Sequence, residues 1–212
     1  MSVLLALLFF AIVITIAVMR SKRTLPVAEE TTLSVVAVPA PKGIFVHPGH
    51  TWADVLRSDL VDVGMDRFTK SVFGSIEKLK PPKKGTLLRQ GEKAWTLKGR
   101  KRELTQLSPI SGMVVEVNQA LLLDPKAITE KNAEKNWILK VKPTSLQREL
   151  HNLLHGDTIT RWREAVKEQL VASLTMTAFP VLQEGGEIKP DLGDELTSEE
   201  WKRVVKEFFD GS

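Results

Sequence analysis

The sequence predicts a mainly β domain with flanking helices, of the α+β class, and three observations carry that prediction. The stretch Gly91 to Asn118 places alternating apolar segments on both sides of a short basic turn, the pattern of strands joined in a hairpin. From Ser145 onward the apolar period lengthens from two residues to about 3.6, as a passage from strands to helices requires. The opening run Val3 to Met19 is apolar except for Thr15, which separates it from everything that follows.

Composition narrows the functional classes. The 212 residues, 42% of them hydrophobic, suffice for one core, so one domain with appendages is expected. A formal charge of +4 is too evenly balanced by acids to indicate nucleic-acid binding. The absence of cysteine excludes disulfides, thiolate metal sites and cysteine nucleophiles. No nucleophile–base pair, phosphate loop or carboxylate pair shows catalytic spacing, so the chain is not expected to be an enzyme by itself.

Residues 1–23 read as an uncleaved transmembrane anchor. Val3 to Met19 is about long enough to cross a bilayer core. A signal peptide starts with basic residues and ends with small ones, whereas here the apolar run starts at once and Arg20, Lys22 and Arg23 follow it. The basic flank predicts a single-pass protein of the inner or plasma membrane with its globular part in the cytoplasm. Residues 24–42, with Pro26, Pro39 and Pro41 and no helical period, read as a linker.

The domain is expected over residues 43–143. Ile44, Phe45 and Val46 open it, and the Pro-Gly between His47 and His50 predicts a turn that hydrogen-bonds its histidines locally rather than a metal site. Val55 and Leu56, then Leu60, Val61 and Val63, predict two strands around Arg57 to Asp59, the second ended by Gly64. Asp66 is placed to cap a short helix reaching Gly74, with Phe68, Val72 and Phe73 on its apolar face. Pro81, Pro82 and Gly85 mark a loop before the central hairpin. Ala120 to Leu123 suits a helix broken at Asp124-Pro125, and Trp137, Leu139 and Val141 alternate as a last strand closed by Pro143.

Residues 144–174 predict a helical pair. Leu146, Leu150, Leu153 and Leu154 share one face, Gly156 stops that helix and Asp157 caps the next, whose face is Ile159, Trp162, Val166, Leu170 and Leu174. On this reading His151 and His155 are one helical turn apart, a solvated pair at a helix end. Residues 175–212 predict a hairpin, FPVLQEGGEIKP, and a final helix with Thr197 and Glu200 as a capping box. Its apolar face, Trp201, Val204, Val205 and Phe208, needs a cover, either this domain or another protein.

The turn at the centre holds Lys98, Gly99, Arg100, Lys101 and Arg102. Gly99 is expected to supply the freedom of a tight turn, and the four cations, Lys98, Arg100, Lys101 and Arg102, to repel one another into solvent. Glu103 can pair with one of them across the hairpin. Taken alone this basic patch is a solvated turn with surplus charge, or a polybasic contact for anionic lipid or phosphate.

Read as a whole, Gly64 to Pro143 resembles the H-protein of the glycine cleavage system, in the biotinyl/lipoyl-domain class. The motifs run in order from VGMDRF and the Gly74 turn, through LSPISGMVVEVN over Leu107 to Asn118 and the ALLLDP run, to Trp137 and the strand ending VKP. The resemblance implies a lipoyl-type hybrid-motif β-sandwich, a barrelised hairpin domain, with lipoate amide-linked to one lysine at the hairpin turn. Counting back from Pro109-Ile110-Ser111-Gly112 places that lysine at Lys101, with Gly99, Ser111 and Gly112 supporting the turn. It further implies a non-catalytic carrier whose arm moves groups or electrons between partner enzymes.

The departures from the family are as specific as the match. Lys98 stands where the family usually has a glutamate, and Arg100 and Arg102 replace small or apolar neighbours. A second expectation therefore stands beside the carrier: a cofactor-free interaction subunit of a membrane complex that keeps only the fold. Protein partners are implied by both.

Overall fold

The computed structural model describes residues 42–129, 131–174, 182 and 186–210. The predicted anchor, residues 1–23, and all but the last residue of the 24–42 linker lie outside these. No helix among the described residues is long and apolar enough to cross a membrane.

The strands form two antiparallel sheets. In chain order they are β1 (Ile44–His47), β2 (Thr51–Arg57), β3 (Leu60–Met65), β4 (Lys78–Lys80), β5 (Leu87–Leu88), β6 (Lys93–Lys98), β7 (Glu103–Leu107), β8 (Gly112–Val117), β9 (Leu139–Pro143) and β10 (Leu154–His155). The larger sheet runs β10-β1-β2-β3-β9-β8-β5, and the smaller β4-β6-β7. One apolar core serves both: Val61, Val63, Leu139 and Val141 come from the larger sheet, Leu79, Trp95, Leu97 and Leu104 from the smaller. This is the mainly β architecture with flanking helices that the alternation predicts.

Helix α1 (Arg67–Phe73) follows β3. Asp66 caps it by accepting from the Thr69 N–H, and Phe68, Val72 and Phe73 face the core as their spacing requires. Gly74 ends it at φ 84°, a left-handed value that suits glycine. Gly64 does not end β3, which runs on to Met65. Its role is clearance: a Cβ there would stand 2.6 Å from the Trp52 ring, whose Nε1 donates to the Met65 carbonyl at 2.6 Å. Helix α2 (Gln119–Leu123) is capped by Asn118 before β9.

The predicted helical pair is half right. Helix α3 (Leu146–Leu150) ends early, and Leu154 and His155 pair with β1 as strand β10, in register Val46 to Leu154 and Phe45 to His155. The free edge of β1 explains this, since its backbone groups need partners and a five-residue helix holds little stability of its own. His151 and His155 therefore share no helix, and the His155 ring lies 5.8 Å from that of Phe45. Among the described residues no cluster of three metal-ligating side chains exists. Helix α4 (Asp157–Ser173) follows; Asp157 sits inside its first turn, with Gly156 before it, rather than capping it.

Beyond α4, an antiparallel bridge between Leu182 and Ile188 is the part of the predicted C-terminal hairpin that falls within the described residues. Helices α5 (Leu192–Glu195) and α6 (Ser198–Phe208) are the last elements among the described residues. The capping box at Thr197 and Glu200 is formed, and Trp201, Val204 and Phe208 join the domain's own core, which answers what covers that face.

Candidate functional site: the basic hairpin turn

Strands β6 and β7 are registered Thr96 to Thr105, Leu97 to Leu104 and Lys98 to Glu103. The inward residues Trp95, Leu97, Leu104 and Gln106 are buried. Trp95 Nε1 donates to Gln106 Oε1 at 3.0 Å, and Gln106 Nε2 donates to the His50 carbonyl and to Thr69 Oγ1, which ties the hairpin to α1 and the β1–β2 turn. On the outer face the hydroxyls of Thr96 and Thr105 meet at 3.1 Å. The hairpin is thus a stiff lever whose tip is the turn.

The turn closes where the Gly99 N–H donates to the Arg102 carbonyl at 2.9 Å. This leaves Arg100 and Lys101 exposed at the apex. Gly99 earns its place through close packing and not through a left-handed backbone: a Cβ there would lie 3.0 Å from the Ser75 carbonyl and 3.3 Å from the Phe73 ring.

The cations do not all escape into solvent as expected. Lys98 pairs with Glu103 across the hairpin. That hydrogen bond holds the Glu103 carboxyl below the usual range and Lys98 above it, while Lys98 presses the adjacent Lys80 below its ordinary value. Arg102 folds back onto its own chain: Nε donates to the Gly193 carbonyl at 2.9 Å, Nη2 to the Leu196 carbonyl, and the guanidinium carbon lies 5.8 Å from the Trp201 ring centre. Of the four expected cations, two are engaged within the molecule and two face outward.

Ser111 and Gly112 do not shape this turn. They stand where the chain enters β8, far along the sequence from the apex. Glu149 of α3 accepts from the Ser111 backbone N–H at 2.7 Å and from its hydroxyl at 2.5 Å. A Cβ on Gly112 would fall 2.3 Å from the Lys142 carbonyl, so glycine sets the spacing of β8 against β9. Glu149 and the Arg102 anchor both escaped sequence reasoning, because each contact joins segments dozens of residues apart with no shared periodicity.

The histidine turn behaves as its Pro-Gly predicts. The Gly49 N–H donates to His47 Nδ1 at 2.9 Å, and His50 Nδ1 meets Asp66 Oδ2 at 2.8 Å. Burial, and then the neighbouring His50, push the His47 pKa down to about 4.

The family model described as "Glycine cleavage H-protein" matches residues 45–168. A probable glycine cleavage system H protein of Thermococcus gammatolerans is 30% identical over 125 residues, covering 59% of this chain and 92% of that protein. The glycine cleavage system H protein of Geobacillus sp. strain WCH70 is 33% identical over 128 residues, 60% of this chain and 97% of its own. The crystal structure of a glycine cleavage system H protein from Mycobacterium marinum superposes with a TM-score of 0.51 at 23% identity, covering 59% of this chain and 98% of that one, which supports the shared fold. The chain belongs to the glycine cleavage H-protein family, and residues 45–168 form its H-protein-like lipoyl carrier domain.

Proposed function

We propose that Lys101 carries a lipoyl group in amide linkage and that the chain serves as a non-catalytic carrier for partner enzymes. The observation that supports this most is the apex itself: Lys101 is exposed within the turn that the Gly99–Arg102 hydrogen bond closes, on a hairpin whose base is buried and hydrogen-bonded. Its exposed amine is open to acylation by an activated carboxyl group, and its backbone is held by the closed turn, which suits an arm that visits several active sites. The dithiolane supplies the redox and group-carrying chemistry when attached. This chain's residues supply reach and position.

The reading includes a membrane location. The apolar run over Val3 to Met19 and its basic flank support a single N-terminal anchor that keeps the carrier and its partners at the cytoplasmic face. Deleting residues 1–23 is then expected to move the protein from the membrane to the soluble fraction; a truncated protein still pelleting with membranes overturns the anchor.

A second reading, a cofactor-free interaction subunit, is favoured by one observation: cations at 98, 100 and 102 flank Lys101 where the family usually has other residues. Intact mass and peptide mapping over residues 97–102, on protein purified from its native membranes, separate the two. A lipoyl adduct on Lys101, lost in Lys101→Arg, is the expected result. An unmodified lysine in folded native protein overturns the carrier reading and leaves the interaction subunit.

A further inference from the structure

The family match ends at residue 168, yet the carrier turn is built against chain beyond it. Arg102, one residue after Lys101, spans the gap to the Gly193 and Leu196 carbonyls and lies over the Trp201 ring. A guanidinium donating to two carbonyls from its planar fork is fixed in direction as well as distance. The aromatic face adds attraction for the same cation.

The opposite side of the turn leads to the same place. Gly99 packs on the Phe73 ring, and the Phe73 and Trp201 rings lie 6.0 Å apart. Gly193 comes so near α1 that a Cβ would stand 2.8 Å from the Val72 carbonyl, and one on Gly74 would stand 2.3 Å from Asp191 Oδ1. A closed circuit results: Gly99 rests on Phe73, Phe73 on Trp201, Trp201 under Arg102, and the Arg102 carbonyl accepts from the Gly99 N–H. Restraining the Arg102 side chain therefore also restrains the bond that closes the turn.

We infer that Arg102 is a positioning residue through which the C-terminal segment 191–201 clamps the hairpin turn and holds Lys101 in one presentation. That Lys101 is presented to an acylating enzyme rests on the carrier reading; the clamp itself does not. The segment is part of the carrier's working surface, and the residue beside the carrier lysine is reserved for this chain's own backbone.

Hydrogen–deuterium exchange on the full chain tests the clamp, with the Gly99 amide as direct reporter. Arg102→Gln is expected to speed Gly99 exchange about tenfold while the buried-strand amides of Trp95 and Leu97 keep their wild-type rates, and Arg102→Lys to fall between. A lipoate–protein ligase supplied with lipoate and ATP gives the second readout. The KM for the protein is expected to rise several-fold in Arg102→Gln with kcat unchanged, and Arg102→Lys to recover part of it. Should Arg102→Gln fail to fold, Trp201→Phe keeps the core filled while shrinking the ring beneath the guanidinium, and the same faster Gly99 exchange is expected. Wild-type Gly99 exchange in a folded variant overturns the clamp. Faster exchange in the variant together with an unmodified Lys101 in the native wild-type protein keeps the clamp and overturns the carrier reading.

Discussion

Ser111 and Glu149 hold each other twice: the backbone N–H of Ser111 donates to Glu149 Oε2 at 2.7 Å and its hydroxyl to Oε1 at 2.5 Å. Glu149 is only 6% exposed, so these bonds satisfy a carboxylate that water scarcely reaches. The pair joins α3 to the start of β8 and attaches the helical segment to the sheet.

Glu149→Ala is therefore expected to destabilise the fold by about 2–3 kcal/mol, since it strands a partly buried N–H as well as removing two bonds. Glu149→Gln keeps the shape and an acceptor, and is expected to lose less. Urea midpoints measure both, and a wild-type midpoint for Glu149→Ala removes the pair from the stability argument.

Gly112 and Gly99 separate strand spacing from turn geometry. A Cβ on Gly112 meets the Lys142 carbonyl at 2.3 Å and Val141 Cγ1 at 2.5 Å, while one on Gly99 meets the Ser75 carbonyl at 3.0 Å. Gly112→Ala is expected to cost more than about 2 kcal/mol because β8 and β9 must part, and Gly99→Ala to cost less because the turn can shift slightly. Thermal unfolding of the two variants gives the order directly.

His47 makes stability depend on pH. Its pKa falls from 6.5 to about 4 in the folded protein because burial disfavours the imidazolium, with His50 adding to the effect. The unfolded chain then binds more protons between these values, so stability rises with pH across that window and is lost as pH falls from about 6.5 towards 4, by up to about 3 kcal/mol. His47→Asn retains an acceptor for the Gly49 N–H and cannot titrate. Comparing its urea midpoints with those of the wild type over the same range is expected to show a flatter profile, and parallel profiles refute the assignment.

Thr197 reports on the C-terminal segment. It accepts from the Glu200 N–H at 3.2 Å, while Glu200 Oε2 accepts from the Thr197 N–H at 2.7 Å. Thr197→Ala is expected to cost about 1 kcal/mol. Because Trp201, Val204 and Phe208 belong to the shared core, that loss is expected in the global melting transition and not in a separate early one.

Local signals are legible in the sequence where one residue's own chemistry decides the backbone. The β6–β7 hairpin, the Asp66 cap, the histidine turn and the capping box at Thr197 all stand where the sequence predicts them. The basic turn belongs with these, since register along a hairpin follows from alternation and a short turn, whereas the choice of Lys101 within it rests on the family resemblance.

Tertiary structure decided what depends on encounters between distant segments. Leu154 and His155 carry a helical period but pair with β1, because an open sheet edge outweighs a short helix. Gly99 and Gly112 announce flexibility in sequence, yet both are needed for clearance from neighbours that only folding brings near. Arg102 has the look of surplus charge until Gly193, Leu196 and Trp201 arrive beneath it from roughly ninety residues further on. Sequence by itself determined the central hairpin, the Asp66 and Thr197 caps and the basic turn; the three-dimensional fold decided which charges remain free in that turn, because hydrogen-bond partners are assigned by proximity in space and not along the chain.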